Sequence, residues 1–192
     1  MKLLVVLGAA ALAAPMIAAT AQAPASAPAP YAQSAEALFA QRLINDPRAD
    51  ALRPYGQPIG PVPRSDKTVQ FGKALRVQIS SPSLEIGRIG VTTPTLKPVK
   101  AGDRLVVAFW ARAQRTEDNA PGKLCRVQLE ATPVIRSVFD QAFDVTPEWK
   151  MYKLSGTADR AYPAGGLNAA FHLACAKQTI DLGPVFILDY GA

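Results

Sequence analysis

Short runs of alternating apolar and polar residues, separated by turn residues, dominate the chain from position 74 onward. Because alternate side chains of a strand point to opposite faces of its sheet, this pattern predicts antiparallel strands with one buried face. The runs predict eight strands, over residues 74–80, 88–93, 104–114, 123–131, 137–145, 149–158, 167–174 and 179–189. No long helix fits between them. The predicted fold class is therefore all-β, an antiparallel two-sheet β-sandwich of the jelly-roll type.

The same alternation predicts which side chains form the core. In the strand over 104–114, the inward set is Leu105, Val107, Phe109, Ala111 and Ala113. In the strand over 123–131, the inward set is Cys125, Val127, Leu129 and Ala131. In the strand over 167–174, the inward set is Leu167, Ala169, Phe171 and Leu173, and it continues to Cys175. The polar residues of these strands are expected on the outer faces.

The segment before the strands has a different pattern of apolar, polar and turn residues. Residues 34–45 space their apolar side chains as a helix would, with Ser34 as a candidate N-cap and Pro47 as a stop. Residues 46–64 are rich in Pro and Gly and are predicted to wrap the surface without regular pairing. The sequence therefore predicts a short helix or an irregular N-terminal segment ahead of the sandwich.

The first residues have the composition of a cleavable export signal. Lys2 precedes an apolar stretch over residues 3–14, and the small residues around 18–21 predict cleavage after Ala21. Residues 22–30 contain only Ala, Pro, Ser and Gln, which favours an extended spacer. The predicted organisation is a signal peptide over 1–21, a Pro/Ala-rich spacer and irregular segment over 22–64, and a sandwich domain over 65–192. We expect a periplasmic or secreted protein without a transmembrane segment after cleavage.

Charge changes this picture little. The formal net charge is +6, from 21 cations and 15 anions, and loss of Lys2 with the signal leaves one cation fewer. The cations are scattered, and no block of Lys and Arg resembles a nucleic-acid or lipid patch. Nucleic acid is therefore not an expected partner.

The two cysteines are both predicted to face inward, near the start of one strand and the end of another. In an oxidising compartment such a pair favours a disulfide between Cys125 and Cys175. Two buried free thiols are the alternative, since free cysteine behaves as a small apolar residue. Two thiols and the single histidine, His172, lack the clustered spacing of a zinc site, so no metal is predicted from them.

Several short motifs occur together in the order found in one protein family. They are Gly-Lys-Ala-Leu-Arg-Val at 72–77, Val-Lys-Ala-Gly-Asp at 99–103, Val-Ala-Phe-Trp-Ala-Arg-Ala at 107–113, Val-Thr-Pro-Glu-Trp-Lys at 145–150 with Tyr152, Gln-Thr-Ile-Asp-Leu-Gly-Pro-Val at 178–185 and Leu-Asp-Tyr-Gly at 188–191. Over roughly 66–192 the chain resembles the CenC-type (CBM4/9-like) carbohydrate-binding modules.

The resemblance implies a galactose-binding-domain-like jelly roll that binds glycans on a sheet face and is often appended to glycoside hydrolases. Such families commonly carry an aromatic residue between the early strands, whereas residues 80–88 contain none. Relatives of the fold sometimes hold a structural calcium ion with oxygen ligands. Asp189 is a candidate ligand for such an ion, although no full ligand set is identifiable. No other cofactor is implied.

Strand parity predicts one sheet face that combines an aromatic ring with planar polar side chains. Its candidate ligand-binding residues are Trp110, Arg112, Arg126, Gln128, Glu130, Asn168 and His172. Saccharides stack their C–H faces on aromatic rings, here Trp110, and pair their hydroxyls with forked polar groups. Two alternatives stay open. In the first alternative, the face is only the ordinary solvated side of an antiparallel sheet. In the second, His172 is a solvated strand residue and not a ligand-binding one.

Catalytic signatures are missing from the sequence. A glycoside hydrolase needs two carboxylates that face one cleft, and only Glu130 with Asp140 or Asp144 qualifies for consideration. We find no nucleophile elbow, zinc-binding histidine pair or phosphate-binding glycine loop. The sequence therefore predicts an exported, non-catalytic domain that binds a polysaccharide or oligosaccharide. The alternative is a protein-interaction or structural envelope domain on the same fold, in an oligomeric state that the sequence leaves open.

Overall fold

The computed structural model describes residues 30–56 and 59–192. These residues form one α-helix, α1 (Pro30–Arg42), and ten β-strands. The strands are β1 (Arg53–Tyr55), β2 (Ile59–Ser65), β3 (Lys73–Ile79), β4 (Gly90–Pro94), β5 (Arg104–Thr116), β6 (Gly122–Ala131), β7 (Arg136–Val145), β8 (Lys150–Thr157), β9 (Leu167–His172) and β10 (Gln178–Asp189). The predicted signal peptide and nearly all of the Pro/Ala-rich spacer lie outside the described residues.

The described strands form two five-stranded antiparallel sheets that pack face to face. We call the sheet with strand order β1-β4-β9-β6-β7 the front sheet, and the sheet with order β2-β3-β10-β5-β8 the back sheet. This arrangement confirms the predicted all-β sandwich. Over residues 30–56 and 59–192, no helix has the length and apolar character needed to cross a bilayer.

Eight of the described strands, β3–β10, confirm the eight predicted runs, with ends shifted by no more than two residues. The prediction that residues 46–64 lack regular pairing is wrong, because β1 and β2 lie there. Both are edge strands: β1 pairs only with β4, and β2 pairs only with β3. Proline is tolerated at a sheet edge, where its missing N–H interrupts no ladder, so Pro54 and Pro63 are compatible with pairing there.

The core lies between the two sheets and follows the predicted alternation. The inward sets of β5 and β9 are buried, with 0% exposure at Leu105, Phe109, Leu167 and Phe171. Phe109 of the back sheet and Phe171 of the front sheet meet edge to face, with ring centroids 5.0 Å apart. This contact joins the two sheets at the centre of the domain.

The two cysteines form a disulfide, which confirms the predicted pairing of Cys125 with Cys175. Their predicted inward orientation is wrong, because Cys125 is only partly buried and Cys175 is exposed. The pairing of β6 with β7 shifts between Leu124 and Val127. This irregularity reverses the parity of β6 near its start, so that Leu124 rather than Cys125 enters the core.

The N-terminal segment is helical at first and then becomes part of the core. Ser34 lies inside α1 rather than at its N-cap, and the helix ends at Arg42, earlier than predicted. Beyond it, the Ile44 N–H donates to the Ile187 carbonyl over 2.9 Å. Ile44, Ala49 and Leu52 are buried core residues, so the packed unit starts well before position 65.

Asn45 fastens this segment to β10 at a buried position. Its amide donates to the Val185 carbonyl over 2.9 Å, and its Oδ1 accepts the Ile187 N–H over 2.7 Å. The pairing of β10 with β5 shifts between Leu182 and Val185, just before these two groups. Asn45 therefore satisfies backbone groups at an irregular point of the central strand.

We expect Asn45→Ala to lower the free energy of unfolding by about 2 to 3 kcal/mol, because it leaves buried backbone groups without partners. Urea unfolding measures the change. Asn168→Ala is the matched control, since this amide is partly exposed and makes no hydrogen bond within the described residues. A change within about 0.5 kcal/mol for Asn45→Ala, the range of ordinary surface substitutions, would contradict this assignment.

Candidate functional site

The structure divides the predicted ligand-binding residues between opposite sides of the sandwich. Trp110 and Arg112 lie on β5 of the back sheet, whereas the other five lie on β6 and β9 of the front sheet. The prediction that all seven share one face is therefore wrong. Parity assigns a side chain to a face of its own sheet, but it does not reveal that the consecutive strands β5 and β6 belong to different sheets.

Five predicted residues do lie together on the outer side of the front sheet. Arg126 is opposite His172, Gln128 is opposite Ala170, and Glu130 is opposite Asn168. On the other side of β9, Gly90 is opposite His172 and Thr92 is opposite Ala170. We call this surface the front face and define it by Tyr55, Gly90, Thr92, Arg126, Gln128, Glu130, Asn168, Ala170 and His172.

Tyr55 supplies an aromatic ring that the sequence analysis did not assign to this face. It lies opposite Gly90 in the pairing of β1 with β4, and its hydroxyl reaches His172 Nδ1 at 3.1 Å. A Cβ atom on Gly90 would lie 2.3 Å from the Tyr55 hydroxyl oxygen. Glycine at position 90 therefore allows the phenol to cross β4. The ring contributes the aromatic surface that is missing from residues 80–88.

His172 is partly buried rather than a solvated strand residue. The loop before β4 covers it closely, because a Cβ atom on Gly87 would lie 2.8 Å from His172 Nδ1. Its Nε2 is buried and has no hydrogen-bond partner among the described residues. Burial, together with the nearby Arg126 guanidinium, lowers the pKa of His172 below 6.5. The ring is therefore neutral at pH 7.

Gln128 and Glu130 form a buried polar pair beside these rings. They are only 4% and 5% exposed, and the Gln128 amide donates to a Glu130 carboxyl oxygen. Burial raises the pKa of Glu130. Burial and the Glu130 charge raise the pKa of Tyr55 to about 12. An ordinary solvated sheet face would leave such side chains in water, so this face is built differently.

Charged and open features border the buried pair. Arg126 forms an ion pair with Asp140, Nε to Oδ1 3.7 Å, and Asp140 also accepts a hydrogen bond from Ser137 over 2.8 Å. A cavity of about 490 Å³ is lined in part by Arg88 and by Gly56, the residue after Tyr55 in the chain. The front face thus combines a partly exposed aromatic ring, buried hydrogen-bonding groups and an open margin.

One of the carboxylate pairs considered for hydrolysis is too far apart. Asp144 is opposite Lys123 at one end of β6, whereas Glu130 is opposite Ser137 near the other end. Seven residues of strand separate Lys123 from Glu130, about 20 Å at the usual rise per residue. The paired carboxyl groups of glycoside hydrolases lie about 5 to 10 Å apart. Glu130 and Asp144 therefore cannot serve one glycosidic bond.

Arg112 belongs to an ion-pair network on the back sheet. Asp181, whose side chain is 1% exposed, accepts hydrogen bonds from Arg76 over 2.6 and 2.8 Å and from Arg112 over 3.1 Å. Arg112 also donates to Asp66 over 2.8 Å, and the Trp149 indole N–H donates to the same carboxyl group over 3.2 Å. These bonds hold the loop between β2 and β3 against the back sheet. Arg112 therefore has a structural role.

Trp110 is packed into the same covered region. A Cβ atom on Gly183 would lie 2.9 Å from both Trp110 Cβ and Val69, and 3.4 Å from the Trp149 ring. The Trp110 indole N–H is buried and has no hydrogen-bond partner in the described part of the chain. Tyr55 on the front face, rather than Trp110, is therefore the aromatic ring that accompanies the other predicted site residues.

The candidate calcium ligand, Asp189, has one neighbouring carboxyl group. It lies beside Asp103, and burial together with this second carboxyl group raises its pKa. Each carboxyl group also accepts a backbone N–H, from Gly191 over 2.8 Å for Asp189 and from Lys100 over 2.7 Å for Asp103. No cluster of three or more Asp, Glu, His or Cys side chains suited to a metal occurs in residues 30–56 and 59–192. No full ligand set for a structural calcium ion is therefore identified around Asp189 within these described residues.

The shifted pKa of His172 makes a prediction about stability. Because its pKa is lower in the folded than in the unfolded chain, the unfolded chain binds more protons as the pH falls. The contribution of His172 is complete above about pH 6.5 and is lost as the pH falls toward its folded pKa. We expect His172→Gln to flatten this part of the pH profile in urea unfolding. Identical pH profiles for the two proteins would contradict the burial of His172.

The pKa shift of Glu130 has the opposite sign to that of His172. The pH profile of stability therefore requires a control for Glu130. Its raised pKa means that folding favours the protonated carboxyl group, so its contribution is present at low pH and is lost as the pH rises through its folded pKa. The two groups therefore oppose each other where their titrations overlap. Glu130→Gln alone and together with His172→Gln separates the two contributions.

No protein-family model and no curated protein matches this sequence. Solved structures do match the fold. A CBM4 module matches with a TM-score of 0.56 at 19% identity, over 73% of this chain and 95% of its own. The N-terminal cellulose-binding domain of Cellulomonas fimi β-1,4-glucanase C matches with a TM-score of 0.52 at 20% identity, over 77% of this chain and 93% of its own. The CBM22-1 xylan-binding domain of Paenibacillus barcinonensis Xyn10C matches with a TM-score of 0.51 at 14% identity, over 79% of this chain and 93% of its own. The chain has the fold of a carbohydrate-binding module.

Proposed function

We propose that this protein is an exported, non-catalytic carbohydrate-binding module of the CenC type that binds a polysaccharide on its front face. The observation that carries the proposal is the position of Tyr55. Its phenol crosses Gly90 to reach His172, on the same face as the buried Gln128–Glu130 pair. An aromatic ring beside fixed hydrogen-bonding groups is the combination that saccharides require.

Each part of the front face has a role in this proposal. Tyr55 offers its ring to the C–H face of a sugar, and the His172 contact restrains the phenol. Glu130 and Gln128 hold each other beneath the face, and in this proposal the more exposed Arg126 and Asn168 pair with the sugar hydroxyls. Because these groups lose little freedom on binding, the preformed face favours affinity.

The proposed export agrees with the cysteine chemistry. The Cys125–Cys175 disulfide requires an oxidising compartment, as found in the periplasm or outside the cell. The predicted signal peptide provides the route. The polymer is therefore sought among envelope and extracellular polysaccharides.

A protein partner is the second candidate, and exposed apolar loop residues favour it. Leu84 is fully exposed in the loop that covers His172, and Val134 and Ile135 are 79% and 62% exposed between β6 and β7. Apolar loop residues of this kind are common where proteins dock. In that case the fold serves a protein-interaction or structural envelope role without a glycan.

Affinity electrophoresis of the chain from Gln22 onward tests these alternatives. Gels containing xylan, β-glucan, mannan or an acidic polysaccharide are compared with a gel without polymer. We expect at least one polymer to retard the protein, with no release of reducing ends during prolonged incubation. Retardation by none of them would reject the glycan proposal and favour the protein partner. Release of reducing ends would contradict the non-catalytic assignment.

A further inference from the structure

A groove on the other side of the sandwich has the features of a second binding site. It is a cavity of about 700 Å³ that runs along β5 and the edge strand β8 of the back sheet. Its polar and aromatic lining consists of Arg104, Gln141, Lys153, Ser155, Thr157 and Tyr190. The volume falls in the range of known ligand sites. None of these residues belongs to the front face.

The strand register explains why these side chains converge. Arg104 is opposite Thr157 and Ala108 is opposite Lys153 in the pairing of β5 with β8. Their neighbours Leu105 and Leu154 are buried in the core, so these polar side chains point outward. The C-terminal segment closes one side, because the Tyr190 N–H donates to the Arg104 carbonyl over 2.9 Å.

Gln141 joins the groove from the front sheet. Phe139, two residues before it on β7, packs against Gly156 of β8 so closely that a Cβ atom on Gly156 would lie 2.3 Å from the ring. This contact brings the edge strands of the two sheets together. Gln141 lies on the same side of β7 as Phe139, so it lines the cavity from the inner side of β8, whereas Ser155 and Thr157 line it from the outer side.

The charge of the groove indicates the ligand. Arg104 and Lys153 are exposed, the lining contains no carboxylate, and neither cation forms an ion pair within the described residues. Two unpaired cations in a concave site favour an anion.

Tyr190 distinguishes this groove from a simple anion site. Its side chain is 43% exposed, and the Arg42 guanidinium lies 4.4 Å from the ring centroid, which holds one face of the ring. The remaining ring surface is available to an apolar C–H face. The groove thus offers a ring, hydroxyl groups and two cations to a single ligand.

We infer that this groove binds an acidic oligosaccharide whose sugar units carry carboxylate groups. The carboxylates pair with Arg104 and Lys153, the hydroxyls with Ser155 and Thr157, and a sugar ring contacts Tyr190. The inference is independent of the proposed front-face function. Together the two sites would allow one domain to hold two polymer chains on opposite sides.

Isothermal titration of the chain from Gln22 onward with a glucuronate-containing oligosaccharide tests the inference. The double variant R104Q/K153Q removes both cations, and R64Q/K67Q is the matched control with the same charge loss at exposed residues outside the groove. We expect at least a tenfold loss of affinity for R104Q/K153Q and an unchanged affinity for R64Q/K67Q. If the double variant does not fold, the single variant K153Q replaces it and is also expected to lose affinity.

Two further comparisons make the result specific. The carboxyl-reduced oligosaccharide should not bind the groove, and Tyr55→Ala should leave the binding of the acidic ligand unchanged. Equal affinity of R104Q/K153Q and R64Q/K67Q would overturn the inference. Equally tight, salt-sensitive binding of a sulfated polymer would overturn it too, because the groove would then act only as a general cationic patch. Loss of binding in Tyr55→Ala alone would assign the acidic ligand to the front face instead.

Discussion

Replacing both cysteines with serine is expected to lower the free energy of unfolding by about 4 kcal/mol. The disulfide joins residues 50 apart in the sequence, and it connects the start of β6 to the segment that follows β9. In the chain-entropy model, the bridge limits the unfolded chain far more than the folded one. For a domain of this size, such a loss is a large part of the total stability.

Urea unfolding of the wild type and of the variant C125S/C175S, with and without reductant, measures this effect. We expect reductant to lower the stability of the wild type to that of the variant and to leave the variant unchanged. Ala176→Ser is a matched control for a new hydroxyl in the same segment. Equal stability of the wild type and the double variant would show that the bridge does not constrain the unfolded chain as the model requires.

Tyr55→Ala is expected to weaken binding of the polysaccharide about 30-fold or more, the loss of about 2 kcal/mol typical of an aromatic hot spot. The substitution removes the phenol ring that the front face, as defined above, presents beside the Gln128–Glu130 pair. It also removes the partner of His172 Nδ1. Tyr55→Phe keeps the ring and loses only the hydroxyl, so we expect a smaller loss of about fivefold.

Trp110→Phe is the control that separates this account from the one suggested by the sequence. Trp110 is packed over Gly183 on the back sheet, so its substitution should leave the affinity unchanged in affinity electrophoresis. The free energy of unfolding is measured for each variant, which separates loss of binding from loss of folding. A Trp110→Phe protein that folds but loses binding, while Tyr55→Ala retains it, would contradict the assignment of the front face.

Much of the fold could be predicted because the long strands have one buried face. β5 alternates buried and less buried residues along most of its length, and the predicted core residues of β5 and β9 are confirmed. The short edge strands could not be predicted in this way. β1 has three residues and β2 contains Pro63, so neither shows an alternation that is long enough to recognise.

The candidate site was harder to predict than the fold. Parity identified Arg126, Gln128, Glu130, Asn168 and His172, which do share one face. It could not show which strands share a sheet, because that depends on long-range pairing, and so Trp110 and Arg112 were placed wrongly. Tyr55 was missed because its contact with His172 joins residues 117 apart through the edge strand β1. The bulge at Cys125 shows the same limit, since one shifted residue reverses the parity.

The central claim is that the front face of the sandwich binds a glycan, and mapping by nuclear magnetic resonance tests it most directly. Backbone amide signals of the isotope-labelled chain are followed during titration with a neutral oligosaccharide from a polymer that retards the protein. The account predicts shifts concentrated in β1, β4, β6 and β9, around Tyr55 and His172, and their loss in Tyr55→Ala. Shifts confined to the back sheet around Trp110 and Arg112, with the front face unchanged, would contradict it.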